Sequence, residues 1–291
     1  MKSISQIGLL GFGEVGHMLA EDLGVYDVTL CAYDTKFAAG TPPTARDQEL
    51  TCASPQEMAA RSELIISAVT AEQTVHAAKS VLTGLKPGTY FLDLNSASPG
   101  AKTKAAEAIN GAGGLYVEAA IMSPVDPKRL SSPILLGGPY AEQFKSIGEG
   151  LGLANLSVFA SDYGKASAAK LCRSVVIKGL EALLFESLVT ARRYGVEDTV
   201  LTSLSDLLPG PDWEELSLYM IERSLEHGER RSEEMREAGK AVRDVWVNPL
   251  MSNATAQRQL GASLENAGTR FTDLTSCLDA LSTRRGALEQ V

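Results

Sequence analysis

The 291-residue sequence contains few residues of the kinds that build disulfide frameworks or metal sites. Its four cysteines are widely separated and form no CxxC pair, which argues against both kinds of site and favours a reducing compartment. The three histidines form no HExxH pattern, so we expect no bound metal. The sequence also lacks a GxSxG elbow, which is typical of serine hydrolases.

Basic and apolar runs are equally scarce. The net charge is −9 and no long Lys/Arg run occurs, so we expect no nucleic-acid partner. No apolar run reaches about 18 residues and no signal peptide is evident, so we expect no membrane association and a cytoplasmic location. A chain of this length usually folds into about two domains.

A glycine-rich turn lies near the start, between a predicted strand and a predicted helix. The turn has the pattern GxGxxG and comprises Gly11, Phe12, Gly13, Glu14, Val15 and Gly16. The first glycine permits a tight turn, the second lets the backbone approach a pyrophosphate, and the third lets the helix pack on the strand. Free N–H groups at the helix start then face the phosphates. We therefore predict a dinucleotide site here, with a purely structural turn as the alternative.

The rest of the sequence predicts an α/β fold. Short β-rich runs alternate with helical patterns up to about residue 159, and nearly everything after residue 164 is helical. Strands are predicted at residues 4–10, 28–33, 64–69, 90–94, 115–119, 134–136 and 156–159. Helices are predicted at residues 15–23, 55–61, 71–85, 101–109, 141–151 and 165–194, with candidate caps at Asp198, Asp212 and Asn248. We expect a Rossmann-type, mostly parallel sheet in residues 1–163 and an all-helical domain in 164–291, joined by the long helix.

Asp34 is the candidate determinant of cofactor choice. It closes the second predicted strand 18 residues (34 − 16) after Gly16, close to the ~20 expected of a dinucleotide site. A carboxylate there accepts hydrogen bonds from the adenosine ribose and repels a 2′-phosphate, which favours NAD over NADP. Lys36 or Arg46 in reach of a phosphate would reverse that preference, and a simple turn residue is the other alternative.

A polar segment follows the fourth predicted strand, at the sheet edge where ligands bind in open α/β folds. Asn95 and Ser96 offer donors and acceptors suited to a carboxamide ring or a substrate hydroxyl. In the alternative interpretation, Ser98 simply caps the next helix. We also assign Val69 and Thr70, at the end of the third predicted strand, to the cofactor site.

Four motifs occur in the order and spacing of a known superfamily. They are the glycine turn and the segments 93–99, 118–124 and 164–170. In these the chain resembles the β-hydroxyacid dehydrogenases, which include 6-phosphogluconate and 3-hydroxyisobutyrate dehydrogenases. Residues 227–236 resemble a poorly characterised phosphogluconate dehydrogenase-like branch with its own C-terminal domain.

The resemblance implies a catalytic role for Lys170. The family's lysine acts on the hydroxyl that loses its proton as hydride leaves for the nicotinamide. A lysine in a closed cleft can act as the base, or stay charged and donate a hydrogen bond to the developing oxyanion. From sequence alone, a lysine at a helix start is more often exposed to solvent.

Other family positions differ in this chain. Ser174 replaces a substrate-binding asparagine four residues after the lysine, and a small residue for helix packing is the alternative. Met122 replaces a serine and indicates a roomier, more apolar pocket. Pro124 replaces a glycine, so an intact cradle of backbone amides is excluded, and Ser123 is the candidate substitute ligand.

The late helical segment contains two further candidates. Arg231 lies near the position of a lysine that reaches the active site in many relatives, and a guanidinium there would clamp a carboxylate or phosphate. His227 is the second candidate substrate-binding residue. The alternative is a solvated helix face with Arg/Glu pairs at helical spacing.

The resemblance implies an NAD(P)-dependent dehydrogenase acting on a β-hydroxy acid or a sugar-acid-like alcohol. Two alternatives are a non-catalytic NAD(P)-binding redox sensor and an imine reductase, the latter usually lacking the catalytic lysine. The resemblance and the apolar helix at residues 174–188 also predict a homodimer through the helical domain.

Overall fold

The computed structural model describes residues 4–38, 48–265, 268 and 270–283, so Arg46 lies outside the described part. The chain divides into two compact units, residues 1–170 and residues 171–291, which we call the sheet unit and the helical unit. The division falls inside a long helix, seven residues (170 − 163) after the predicted domain boundary.

The described residues of the sheet unit form one seven-stranded sheet. Its strands are β1 Gln6–Leu10, β2 Thr29–Tyr33, β3 Leu64–Ser67, β4 Tyr90–Asp93, β5 Leu115–Ile121, β6 Ile134–Gly137 and β7 Leu156–Ala160. The order across the sheet is β2-β1-β3-β4-β5-β6-β7, and β5–β6 is the antiparallel pair while the others are parallel. The predicted Rossmann-type, mostly parallel sheet is therefore confirmed.

Helices connect these strands. The described helices of the sheet unit that precede the long helix are α1 Glu14–Leu23, α2 Thr35–Ala38, α3 Pro55–Ala60, α4 Thr74–Ser80, α5 Pro99–Gly111 and α6 Ala141–Gly150, with 3-10 turns at Ala71–Gln73 and Arg129–Ser131. The helix predicted at residues 71–85 was wrong in extent, because it starts as a 3-10 turn and ends at Ser80. The chain then passes so close to α3 that a Cβ on Gly84 would lie 2.0 Å from the carbonyl oxygen of Gln56.

Apolar side chains cover both faces of the sheet. Successive strand residues point to opposite faces, so Leu64 and Ile66 join one buried cluster while Ile65 joins the other. Each of these three residues is at most 1% exposed. A sheet buried on both faces explains why the central strands are continuous apolar runs rather than alternating ones.

The described residues of the helical unit form helices of 9 to 32 residues. They are α7 Lys165–Tyr194, which begins in the sheet unit, α8 Glu197–Leu207, α9 Trp213–Asp244, α10 Leu250–Leu264 and α11 Leu274–Ser282. The described residues of this unit include no strand, which confirms the predicted all-helical region. Leu188, Ile221 and Leu278, from α7, α9 and α11, are fully buried in its largest apolar cluster.

Helix starts in this unit test the predicted caps. Asp212 caps α9, since its carboxylate accepts hydrogen bonds from the N–H groups of Glu214 and Glu215, both at 3.0 Å. The caps predicted at Asp198 and Asn248 were wrong, because α8 and α10 begin after Val196 and Pro249. Asp198 instead lies in the first turn of α8, where a carboxylate interacts favourably with the helix dipole.

The sheet topology places the polar segments on one edge. Strand order reverses between β1 and β3, and in open α/β sheets ligands bind outside the carboxyl ends of the strands at such a switch point. The residues that follow β1, β2, β3 and β4 meet at this edge, because these four strands are parallel.

Candidate active site

Two glycines of the turn are required by close backbone approach. Gly11 has φ +94°, and a Cβ on it would lie 2.5 Å from the carbonyl oxygen of Ala68. A Cβ on Gly16 would lie 2.4 Å from the carbonyl oxygen of Gly11, so no side chain fits between the helix and the turn. These glycines hold the β1–α1 turn closed against the loop after β3.

Gly13 differs from its two neighbours in the motif. A Cβ on Gly13 would meet nothing within 4 Å, and its backbone is extended with φ −84°. It is the N-cap residue of α1 and provides no side-chain cap, and Glu14 and Val15 form the first turn. Open space in front of an uncapped helix start fits a dinucleotide pyrophosphate, which accepts hydrogen bonds from N–H groups.

Asp34 binds the glycine turn itself. Its two carboxylate oxygens accept hydrogen bonds from the backbone N–H groups of Phe12, at 2.7 Å, and Lys36, at 2.8 Å. The Phe12 side chain is buried, with its ring centroid 4.2 Å from that of His17. The Asp34 carboxylate is therefore fixed at the end of β2, beside the turn.

Asn95 joins the ends of two strands. Its side-chain oxygen accepts a hydrogen bond from the Val69 N–H at 2.7 Å, and its amide nitrogen donates to the Ser67 hydroxyl at 3.0 Å. Asn95 is only 4% exposed. Thr70 follows as the N-cap of the 3-10 turn and makes no side-chain capping bond. Asn95 thus positions the predicted cofactor loop after β3.

A buried polar network lies directly before Asn95. The Lys102 ammonium forms an ion pair with Asp93 at 2.9 Å, and both side chains are fully buried. The Tyr116 hydroxyl donates to the other Asp93 oxygen at 2.6 Å, and the Asn95 N–H donates to Asp93 at 2.9 Å. Burial, and then the nearby Asp93 charge, raise the pKa of Tyr116 well above its ordinary value. Tyr116 therefore serves as a hydrogen-bond donor at neutral pH.

Lys170 contacts the segment that follows β4 through a hydrogen bond to Ser96. The Lys170 ammonium donates a hydrogen bond to the Ser96 hydroxyl at 2.7 Å, and both residues are half-buried. Ser98 is the N-cap residue of α5 ahead of Pro99, but its side chain makes no capping bond. The sheet unit therefore brings together a lysine ammonium and a serine hydroxyl at the edge where the glycine turn lies.

The segment after β5 contains the predicted substrate residues. The Met122 N–H donates to the Pro133 carbonyl oxygen at 2.8 Å, which fixes the start of the segment. The Ser123 hydroxyl oxygen is buried and has no hydrogen-bond partner within the described chain. Pro124 lies nearer the surface, as a residue without a backbone donor can. An unsatisfied buried hydroxyl is costly alone and suits a ligand that completes it.

The helical unit encloses its own charged cluster. Lys178 pairs with Glu234 and donates to the Ser174 hydroxyl at 3.2 Å, while Arg231 pairs with Glu181. The Lys178, Glu181 and Arg231 side chains are at most 11% exposed. Burial lowers the pKa values of Lys178 and Arg231, and the neighbouring Glu234 charge opposes both shifts. The alternative of a solvated helix face is wrong for Arg231, because that side of α9 is interior.

Two more residues define this cluster. Gln259, fully buried on α10, donates to Glu181 at 3.1 Å. A Cβ on Gly228 would lie 2.1 Å from the Gln259 carbonyl oxygen, so that glycine permits close packing of α9 and α10. The neighbouring His227 is 24% exposed in its side chain and lies 3.6 Å from the Glu226 carboxylate. A substrate role for His227 or Arg231 remains a prediction.

Sequence reasoning missed the buried or half-buried partners in both units. They are Asp93, Lys102 and Tyr116 in the sheet unit, and Lys178, Glu181, Glu234 and Gln259 in the helical unit. No local pattern identifies them, because a charged residue is usually exposed unless a distant partner is present. The one available signal is that Lys178 and Glu181 lie within residues 174–188, the apolar part of the predicted long helix.

The described residues offer neither a metal site nor a membrane span. No group of three or more His, Cys, Asp or Glu side chains in the described ranges is arranged to hold a metal ion. Within the same ranges, every helix is too short or too polar to cross a membrane.

Two family models match separate parts of the chain. The NAD-binding domain of 6-phosphogluconate dehydrogenase matches residues 6–151, which contain all seven strands except the last. A domain of unknown function, DUF1932, matches residues 191–260 in the helical unit.

Known proteins of similar sequence or structure include dehydrogenases. Mitochondrial 3-hydroxyisobutyrate dehydrogenase from Bos taurus is 22% identical over 218 residues, which are 73% of this chain and 65% of that enzyme. The structure of a conserved hypothetical protein from Sinorhizobium meliloti 1021 is 33% identical, covers 96% of both chains and has a TM-score of 0.76. The Mycobacterium tuberculosis 3-hydroxyisobutyrate dehydrogenase with L-serine shares the fold, with 16% identity, a TM-score of 0.71 and coverage of 96% and 99%.

Proposed function

We propose that this chain transfers hydride between a nicotinamide cofactor and an alcohol group of its substrate. The chain belongs to the family defined by the NAD-binding domain of 6-phosphogluconate dehydrogenase. The family consists of NAD(P)-dependent oxidoreductases, and the proposed substrate is a β-hydroxy acid or a related sugar-acid-like alcohol. The contact between the Lys170 ammonium and the Ser96 hydroxyl, 2.7 Å apart in the unit that contains the glycine turn, is the observation that carries the proposal.

The glycine turn would hold the dinucleotide. Gly13 leaves open space before the uncapped start of α1, where N–H groups bind phosphate. Asn95 fixes Val69, and with it the loop after β3 that is assigned to the cofactor site. When bound, the cofactor supplies a nicotinamide that accepts or donates hydride.

Lys170 would handle the proton. In oxidation its amine takes the proton from the substrate hydroxyl, and in reduction its ammonium returns a proton to the carbonyl oxygen. Ser96 holds the Lys170 nitrogen and can donate its own hydroxyl to the same substrate oxygen. Preorganised donors of this kind stabilise the charge that develops on oxygen in the transition state.

A carboxylate or a second hydroxyl of the substrate would bind to the segment after β5. The buried Ser123 hydroxyl has no partner in the described chain, and a bound acceptor would satisfy it. Met122 beside it favours a substrate with apolar carbon near its acid group. The name of the bovine relative, 3-hydroxyisobutyrate dehydrogenase, supports a short branched acid of this kind.

NAD is the proposed cofactor rather than NADP. The Asp34 carboxylate is fixed beside the glycine turn by the N–H groups of Phe12 and Lys36. A fixed negative charge there repels a 2′-phosphate, while the carboxylate oxygens can accept hydrogen bonds from the ribose hydroxyls.

The helical unit is the proposed site of homodimer formation. Within residues 174–188, Val176 is 67% exposed, Leu183 59% and Ile177 44%. Exposed apolar side chains clustered on a helix favour burial against a second copy of the chain. Light scattering should give twice the chain mass of 30.9 kDa, and a monomer at working concentration would contradict the proposal.

A two-step assay tests the proposed reaction. Thermal shift with NAD and with NADP identifies the better cofactor, because a ligand that binds the native state raises the melting temperature. Branched β-hydroxy acids and sugar acids are then assayed with that cofactor by NAD(P)H absorbance. We expect turnover with at least one acid. Cofactor binding without turnover would favour the sensor, and turnover only with C=N substrates would favour an imine reductase.

A further inference from the structure

The start of α7 is held by a side chain from the sheet. The first N–H groups of a helix have no partner within the helix. Two N–H groups here donate to one carboxylate: the Gly164 N–H to Glu118 Oε2 at 2.6 Å, and the Ser167 N–H to Glu118 Oε1 at 2.7 Å. The Ser167 hydroxyl also donates to the Gly164 carbonyl oxygen at 3.0 Å. Both oxygens of Glu118 are thus used to fix the first turn of the helix.

Glu118 is set rigidly inside the sheet. It lies on β5, is fully buried, and is paired in register with Asp93 on β4 and Gly137 on β6. A Cβ on Gly137 would lie 2.6 Å from Glu118 Oε2, so glycine leaves the room that the carboxylate occupies. Gly164, with φ +89°, lets the chain turn into the helix at the carboxylate.

We propose that Glu118 is a positioning residue for Lys170. Lys170 follows Ser167 by three residues, so the capped N–H and the lysine lie on neighbouring positions of one helix face. One end of this segment is fixed by Glu118 from β5, and the other is fixed where the lysine donates to Ser96 after β4. The proposal rests on the proposed catalytic role of Lys170, because that role gives the alignment its purpose.

The buried carboxylate fits this role better than a simple apolar anchor would. Charge-assisted hydrogen bonds from N–H groups to a carboxylate are short and roughly twice as strong as neutral ones. A negative charge at a helix start also interacts favourably with the helix dipole. Both effects fix the position and rotation of the first turn, and therefore the origin of the Lys170 side chain.

Two variants at position 118 separate shape from charge. Glu118→Gln keeps the shape but has one acceptor oxygen, so its amide must face one of the two N–H donors. Glu118→Asp keeps both oxygens and the charge but is one methylene shorter. We expect kcat to fall roughly 10- to 100-fold in Glu118→Gln, since an error of about 1 Å in placement can cost about 10²-fold. Glu118→Asp should recover part of this loss.

The kinetic test compares the change in kcat with the change in cofactor affinity for each Glu118 variant. Cofactor dissociation constants should stay within about twofold of the parent in both variants, because Glu118 accepts its hydrogen bonds from Gly164 and Ser167 rather than from the glycine turn. Glu142→Gln, at an exposed position in the first turn of α6, is the matched control and should behave as the parent. A Glu118→Gln protein with parental kcat would overturn the proposal. So would losses of kcat and of cofactor affinity in equal proportion, which would indicate a general loss of structure.

A second readout does not depend on turnover. Reductive methylation followed by mass spectrometry measures how readily each lysine reacts. We expect Lys170 to react faster in Glu118→Gln, as in the reference variant Ser96→Ala, while exposed Lys165 keeps its rate. Hydrogen exchange of the amides at residues 164–170 should rise in parallel. Unchanged labelling and exchange would overturn the positioning role even if no substrate were found, whereas failure of the proposed function would leave these changes in place.

Discussion

The two units of this protein use the same kinds of cation in different surroundings. In the sheet unit, the half-buried Lys170 donates to a serine hydroxyl at the ligand edge of the sheet. In the helical unit, Lys178 and Arg231 lie in the interior and pair with Glu234 and Glu181. The serine hydroxyl that accepts the hydrogen bond of Lys170 is itself able to donate to a third group. A buried cation paired with a carboxylate is costly to separate from it, because separation leaves an unpaired charge in the interior.

The largest expected effect breaks the pair in the helical unit. Glu181→Ala removes the partner of Arg231 and leaves an uncompensated buried charge, which typically costs about 3–5 kcal/mol of unfolding free energy. Urea denaturation measures the loss, with Glu229→Ala at an exposed position of α9 as the control. The double variant Glu181→Leu/Arg231→Met should recover most of the stability. If Glu181→Ala unfolds at the parental urea concentration, the interior assignment of this pair is wrong.

The next largest effect concerns cofactor binding at the glycine turn of the sheet unit. Gly13→Ala should weaken NAD(P)H binding at least roughly tenfold, equivalent to about 1.4 kcal/mol, while the melting temperature stays near the parental value. The reason is that the added Cβ meets no protein atom within 4 Å and would instead occupy the proposed phosphate space. Fluorescence titration gives the affinity.

Two glycine controls accompany this variant. Gly150→Ala also adds a Cβ into open space and should change neither property. Gly16→Ala, whose Cβ would lie 2.4 Å from a backbone oxygen, should lose stability as well as affinity. If Gly13→Ala binds NAD(P)H with parental affinity, the dinucleotide does not bind at this turn as proposed.

Sequence reasoning succeeded where the determinants are local. Gly13 and Gly16 are set by one strand-turn-helix unit, although the close approach that requires Gly11 is to Ala68, and the Asp212 cap is set by one helix start. It failed where a side chain finds its partner across the chain. Glu118 belongs to the motif at residues 118–124, for which no capping role was predicted, yet it caps a helix that begins 47 residues later in the sequence (165 − 118). The ion pair between Asp93 and Lys102 was also missed although the two residues are close in sequence, since nothing nearby predicts a fully buried lysine.

A smaller effect is expected from Asp34. Asp34→Ala should shift the ratio of NAD to NADP affinities toward NADP by roughly tenfold, because the repulsion of a 2′-phosphate is removed. Asp27→Ala, at an exposed position just before β2, is the control and should leave the ratio unchanged. Isothermal titration with both cofactors measures the ratio. An unchanged ratio would mean that Asp34 only holds the glycine turn through the Phe12 N–H.

The smallest effect concerns pH in the helical unit. Burial lowers the pKa of Lys178 below its ordinary value of 10.5, so the unfolded chain binds more protons than the folded chain as pH approaches that value from below. The contribution of Lys178 to stability should therefore increase with rising pH. Urea denaturation between about pH 8 and 10 should show this increase in the parent and a flatter profile in Lys178→Met. A steeper rise in the variant would contradict the sign of the shift.

The most direct test of the account is the turnover of Lys170→Met beside that of Lys165→Met. Both lysines lie on α7, and Lys165 is an exposed partner of Asp162. With the substrate found in the two-step assay, we predict that Lys170→Met loses about 10²- to 10⁴-fold in kcat, the usual contribution of a general acid or base. Its NAD(P)H affinity should stay parental, and Lys165→Met should keep parental turnover. Parental turnover in Lys170→Met would contradict the central claim.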